Sequence, residues 1–105
     1  MKSLGIVTAV ETDEQTIPSS YTLFQNYPNP FNPTTNIRFA LPKASNVKIT
    51  IYDAIGKEVV TLVNNELNAG THTISWNASG LASGIYLYRI EAGNFVQVNK
   101  MLLLK

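Results

Sequence analysis

The sequence has no cysteine and a single histidine, so neither a disulfide framework nor a multi-histidine or Cys-His metal centre can be assembled from it. The lack of cysteine leaves the compartment open, because many secreted bacterial domains carry no disulfides. Charge is scarce as well, and a formal net charge of +1 gives no clustered basic face of the kind nucleic acid needs. No apolar run approaches the roughly 20 residues that span a bilayer, and Met1–Val10 has too short an apolar core for a signal peptide. No stretch shows helical periodicity. The chain is therefore read either as cytoplasmic or as a piece of a longer secreted polypeptide, and the second reading is preferred.

What the sequence does have is proline in one place. Gln25-Asn26-Tyr27-Pro28-Asn29-Pro30-Phe31-Asn32-Pro33 holds three of the five prolines, each preceded by an aromatic or an asparagine. Proline fixes its own φ and biases the residue before it toward extended geometry, so neither a helix nor a central strand passes through. The segment reads as a rigid clip that starts a folded domain, with Tyr27 and Phe31 each contributing roughly 1.5–3 kcal/mol if buried.

Upstream of the clip, residues 1–20 carry three of the seven acids and little large apolar content after Val10, the composition of a linker. Ile6–Val10 fits either the last strand of a preceding domain or a tail. The folded domain is expected over residues 21–105, a length able to bury a core without metal or disulfide.

Within that domain the apolar period is two. Ile37, Phe39 and Leu41 alternate with polar or small residues until Pro42, and Val47, Ile49 and Ile51 repeat the pattern after a link short enough for a hairpin. Asp53–Lys57 has turn chemistry, since Asp bonds the backbone ahead of it and Gly56 accepts positive φ. Glu58–Val63 is a third strand, where adjacent Val59 and Val60 suggest a bulge, followed by a loop over Asn64–Gly70.

In Thr71–Trp76, His72, Ile74 and Trp76 share the inward face, with Trp76 the expected core anchor. A small-residue loop, Asn77–Gly84, leads to Ile85–Glu91, bulky on both faces and so central in a sheet; Ala92-Gly93-Asn94 is hairpin-turn chemistry. Phe95–Leu104 closes the chain, with Val96, Val98, Leu102 and Leu104 on one face interrupted by Lys100. About seven short strands at this spacing predict an all-β, immunoglobulin-like antiparallel β-sandwich with Ile37, Phe39, Val47, Ile49, Ile51, Ile74 and Trp76 in its core.

No arrangement suggests catalysis. His72 in phase with Ile74 and Trp76 favours packing over a catalytic triad, and Asp53, Glu58, Glu66 and Glu91 show no spacing of a glycosidase pair. The glycine-containing loops lack the strand–loop–helix context and lysine of a phosphate cradle, and Asn77-Ala78-Ser79 is a short, commonly met glycosylation pattern. A sugar platform of Tyr86 or Tyr88 is the minority alternative to core packing. No enzyme activity, cofactor or small-molecule substrate is expected.

Taken in order, the segments are similar to one known family. Leu23–Thr35 with Ile37, Phe39 and Pro42 resembles the opening motif of the type IX secretion system C-terminal sorting domain, type A; Val47–Asp53 with Gly56-Lys57 resembles its second motif, and Ala69-Gly70 with His72 and Trp76 its middle strand. Leu81–Arg89 resembles the third motif and Lys100–Lys105 the terminal one. A related resemblance is to the immunoglobulin-like domain of flagellar hook-capping proteins, a structural module.

The sorting-domain resemblance implies a C-terminal address on an N-terminal cargo domain, read by the outer-membrane secretion machinery. A sortase-like cysteine peptidase commonly removes such domains just upstream, here expected within Ile17–Leu23, and the cargo is secreted or displayed at the cell surface after passage through the periplasm. The matching positions are Pro28, Asn29, Pro30 and Phe31 in the opening motif and Tyr52, Asp53 and Gly56 in the second. They continue with Gly84, Tyr86 and Arg89 in the third and Lys100 and Lys105 in the terminal motif. The terminal strand either pairs with a partner sheet by β-augmentation or completes the domain's own core. The alternatives to sorting are a structural or assembly module and, less favoured, a carbohydrate-binding module.

Overall fold

The computed structural model describes residues 17–105. Seven strands run through them: β1 Thr22–Leu23, β2 Thr34–Leu41, β3 Ser45–Asp53, β4 Glu58–Leu67, β5 Gly70–Asn77, β6 Gly84–Ala92 and β7 Phe95–Leu103. They form two antiparallel sheets, one of three strands in the order β1-β2-β5 and one of four in the order β4-β3-β6-β7. This is an immunoglobulin-like β-sandwich, as the two-residue periodicity predicts.

Alternation places the core between the layers. From the small sheet come Leu23, Ile37, Phe39, Leu41 and Trp76, and from the large one Val47, Ile49, Ile51, Tyr88, Ile90, Met101 and Leu103, all buried. Of the expected core set, Ile74 differs: it is half-buried, because β5 is the outer strand of its sheet and shields that position from one side only.

The hairpin expected between β2 and β3 does not form. β2 pairs with β1 and β5, whereas β3 pairs with β4 and β6, so the link after Leu41 carries the chain from one layer to the other. Pro42 begins that link and cannot donate to a continuing ladder. The loop expected over Asn64–Gly70 also shrinks: β4 continues to Leu67, since Asn64, Asn65, Glu66 and Leu67 pair with the start of β3. Low strand propensity is overridden there by a partner ladder.

Register shifts between Ile49 and Thr50 and between Ile51 and Tyr52 leave Leu62 and Val59 without opposite residues, which puts one of two bulges at the adjacent valines. β6 lies between β3 and β7, the central position its two bulky faces predict. Gly93 and Asn94 close the β6–β7 hairpin, with Gly93 at φ 59°.

Candidate recognition site

The clip closes one side of the sandwich, where the edge of β2 and the edge of β7 would otherwise face water. On one flank the backbone leading into and through it bonds the small sheet: Phe24 N–H, just before the clip, donates to the Arg38 carbonyl at 3.0 Å, and Tyr27 and Asn36 exchange amide bonds at 3.0 and 2.9 Å. On the other flank it bonds the final strand. Phe31 N–H donates to the Leu102 carbonyl and Leu104 N–H to the Phe31 carbonyl, both at 3.0 Å. Leu102 N–H donates to Asn29 Oδ1 at 2.9 Å, and Gln25 Nε2 donates to the Lys100 carbonyl at 2.8 Å.

These bonds correct the β-augmentation expectation for the last strand. From Lys100 onward its outer edge is already occupied by the chain's own clip, while Met101 and Leu103 complete the core. The inward face of β7 is Phe95, Gln97, Asn99, Met101 and Leu103; Val96, Val98 and Leu104 are exposed on the other face. Gln97 and Asn99 are drawn inward by the Leu23 and Phe24 carbonyls just before the clip and by the Tyr88 hydroxyl, which apolar periodicity could not reveal.

Those partners form a buried polar cluster. The Tyr88 hydroxyl donates to the Phe24 carbonyl at 2.8 Å and accepts from Asn26 N–H at 2.8 Å and from Asn99 Nδ2 at 3.2 Å. Asn26 Nδ2 donates to Thr35 Oγ1 at 2.9 Å and to the Pro28 carbonyl at 3.2 Å, and Thr35 Oγ1 donates to the same carbonyl at 2.9 Å. Every capacity of the Tyr88 hydroxyl is filled, so it acts as the tie between the large sheet and the clip. Burial pushes its pKa above the ordinary tyrosine value, with the hydrogen bonds from Asn99 and Asn26 working in the opposite direction.

The cluster explains one departure from the sequence reading, and the core bears out the packing preferred for Tyr86 and Tyr88. Tyr27 is 78% exposed where burial was expected, because Asn26 takes the inward position and Tyr27 alternates outward. Tyr86 and Tyr88, the candidate sugar platform, are 7% and 0% exposed, so neither offers a ring face to a ligand.

Phe31 is the buried aromatic of the clip, with its ring centroid 5.9 Å from that of Trp76, which lies at the same distance from Tyr86. His72 stacks on Phe39 at 5.4 Å, and its Nε2 lies 2.8 Å from the Asn68 carbonyl, a rim packing role.

Most matching positions meet at one end of the sandwich. Pro28, Asn29 and Pro30 are exposed there beside buried Phe31. The Asp53 turn is held by Asp53 Oδ1, which accepts from Ile55 N–H at 3.1 Å and Lys57 N–H at 2.9 Å, with Gly56 at φ 92°. Asp53 and Tyr86 are register partners, and a shallow groove joins the Asp53 turn to the Ala82–Tyr86 segment, where Gly84 has φ 148°. Lys105 N–H donates to Ser83 Oγ at 2.9 Å, bringing the end of the chain to the same place.

Tyr86 supports this end from inside, its hydroxyl donating to the Ala82 carbonyl at 2.7 Å. Tyr52, Arg89 and Lys100 stand apart, on the outer face of the large sheet: Tyr52 is opposite Leu87, which is opposite Lys100, and Arg89 pairs with Glu91 at 3.5 Å. Among the described residues no group of three His, Asp or Glu side chains gathers to hold a metal. Asn26, Thr35 and Asn99 were absent from the sequence-based candidates, and their signal was the run of amides in and opposite a proline-rich segment.

A sandwich whose N-terminal clip and C-terminal strand lock each other is a folded module that displays loops at one end. The chain belongs to the secretion system C-terminal sorting domain family, whose model matches residues 25–104. It is a type IX secretion sorting signal. No curated protein matches the chain. Among solved structures it is similar to PorZ, an essential bacterial surface component of the type-IX secretion system of Porphyromonas gingivalis, with a TM-score of 0.54 at 19% identity. The match covers 96% of this chain and 13% of that one, and it bears on the fold alone.

Proposed function

We propose that the outer-membrane type IX machinery reads this domain as a folded, non-catalytic address, and that the polypeptide joined to its N-terminus is the cargo carried through the periplasm to the surface or the medium. One observation carries the reading: motifs separated along the chain gather at one end of the sandwich, where Asn29 and Phe31 bond Leu102 and Leu104, and Lys105 bonds Ser83. Exposed Pro28, Pro30, Gly56 and Lys105 are the recognised features of that end, with Tyr52, Arg89 and Lys100 as flanking contacts. Shape displayed by a rigid scaffold suits a receptor, and loops on such a scaffold are the usual carriers of recognition.

A sortase-like cysteine peptidase then separates address from cargo within Ile17–Leu23, and residues 1–20 serve as the linker. Ile17, Ser19 and Ser20 are exposed, whereas Tyr21 stacks on Phe95 at 5.4 Å and Leu23 is buried in β1, so the accessible bonds lie before Tyr21. Terminal sequencing of the released cargo checks this; a cut after Phe31 contradicts it.

The test of the main reading is export of a periplasmic reporter fused to the chain in a host that carries the system. Deleting Asn99–Lys105 is a blunt control, because it removes buried Met101 and Leu103 along with any signal. Lys100→Ala and Lys105→Ala keep the core, so loss of export with an unchanged melting temperature supports recognition. A folded fusion that stays in the periplasm refutes the reading.

A further inference from the structure

The outer face of the small sheet lies apart from the end where most matching positions meet, and its charge composition differs from that of the large sheet. All four described acids, Asp53, Glu58, Glu66 and Glu91, lie in β3, β4 and β6 of the large sheet. The small sheet carries none; its ionic side chain is Arg38 of β2, exposed, with Asn36 beside it and Thr73 opposite it on β5. Arg38 is also pre-organised. Its guanidinium carbon lies 4.5 Å from the centroid of the Phe24 ring, and the ion pair found among the described residues is Arg89–Glu91, not one involving Arg38.

Next to it stands Tyr27, 78% exposed, on backbone fixed by the two amide bonds to Asn36. Phe24, Gln25, Tyr27, Asn36, Arg38 and Thr73 line one open groove of about 380 Å³. A tyrosine on fixed backbone beside an arginine held on a ring offers residue types that carry binding energy at protein interfaces.

We infer that this face is a second docking surface for the export machinery, and that its occupant is a protein segment bearing a carboxylate for Arg38 and an apolar pocket for the Tyr27 ring. The inference rests on the sorting reading above and names the partner chemistry. Charge complementarity decides the occupant: a face with a fixed cation and no acid attracts an acidic segment, and Arg38 meets a carboxylate with its planar fork while its ring-facing side stays on Phe24. Tyr27 projects from the surface, which suits insertion into a pocket of a folded partner.

The experiment compares the reporter fusion of the full chain with its Tyr27→Ala, Arg38→Glu and Lys43→Glu variants. Lys43 is exposed in the link between β2 and β3, so Lys43→Glu makes the same change in net charge away from the groove. Melting temperatures are expected to stay within a few degrees for all three, since each side chain is exposed. Export is expected to fall about tenfold or more for Tyr27→Ala and for Arg38→Glu, and to hold for Lys43→Glu.

If the parent fusion is not exported, the sorting reading fails. If it is exported and both groove variants are exported equally well, the docking surface is refuted while the sorting reading stands. Titration of the full chain with polygalacturonate is the remaining arm. Binding lost in Tyr27→Ala would overturn the protein partner in favour of an acidic glycan, and absence of binding supports it.

Discussion

Replacing Tyr88 with phenylalanine removes one oxygen from the centre of the polar cluster and leaves the ring volume almost intact. The hydroxyl accepts from Asn26 N–H and donates to the Phe24 carbonyl, each at 2.8 Å, and accepts from Asn99 Nδ2 at 3.2 Å. The Phe24 carbonyl keeps a weaker donor in Asn99 Nδ2 at 3.4 Å, but Asn26 N–H loses its partner in a residue only 2% exposed. An orphaned buried donor costs about 1–3 kcal/mol, so Tyr88→Phe is expected to destabilise by about 2 kcal/mol. For a domain of this size that lowers the melting temperature by roughly 8–16 °C, read by circular dichroism with denaturant melts alongside.

The same group sets an alkaline limb. Its folded pKa is raised by burial, so the protonated phenol is favoured in the folded state. The stability this contributes is complete below the ordinary tyrosine pKa of about 10 and is lost as pH rises from there through the folded value. Tyr88→Phe should therefore flatten the loss of stability above about pH 10, whereas at neutral pH Tyr27→Phe, altering an exposed ring, should change stability by no more than about 0.5 kcal/mol. A Tyr88→Phe protein that melts with the parent, or shares its alkaline limb, would refute the cluster as the tie between clip and sheet.

Other substitutions test other layers of the fold. Trp76→Ala empties a site 6% exposed between Phe31 and Tyr86 and should cost about 3–5 kcal/mol, enough to unfold a marginal domain in a thermal melt. Phe31→Ala should cost a similar ~3–5 kcal/mol and, by freeing the clip, raise amide exchange at Leu102 and Leu104 before the rest of β7; uniform exchange would argue against a locking role. Thr50→Val should stabilise by about 1 kcal/mol, because the Thr50 hydroxyl is buried without a hydrogen-bond partner and valine has its shape; a lower melting temperature would contradict this. Gly56→Ala should cost about 1–2 kcal/mol at φ 92°, measured the same way.

The alternating apolar residues of Ile37–Leu41 and Val47–Ile51, with the two bulky faces of Ile85–Glu91, determined the strands, and with them an all-β sandwich, because side-chain period follows directly from the pleat. The Asp53 turn and the β6–β7 hairpin were equally legible, since their chemistry is local. Sheet assignment was not: the same short link after Leu41 serves a hairpin or a crossing between layers, and only the pairing of β2 with β5 decides between them.

Nor could periodicity choose the buried face of β7, where Gln97 and Asn99 turn inward to polar partners more than 70 residues earlier in the chain. The same holds for Tyr27 and Asn26, whose exchange of inside and outside depends on hydrogen-bond partners at Thr35 and Tyr88. Apolar burial is encoded residue by residue, whereas a buried amide or hydroxyl is tolerated only where the folded chain supplies its partners, and that is a property of the tertiary structure.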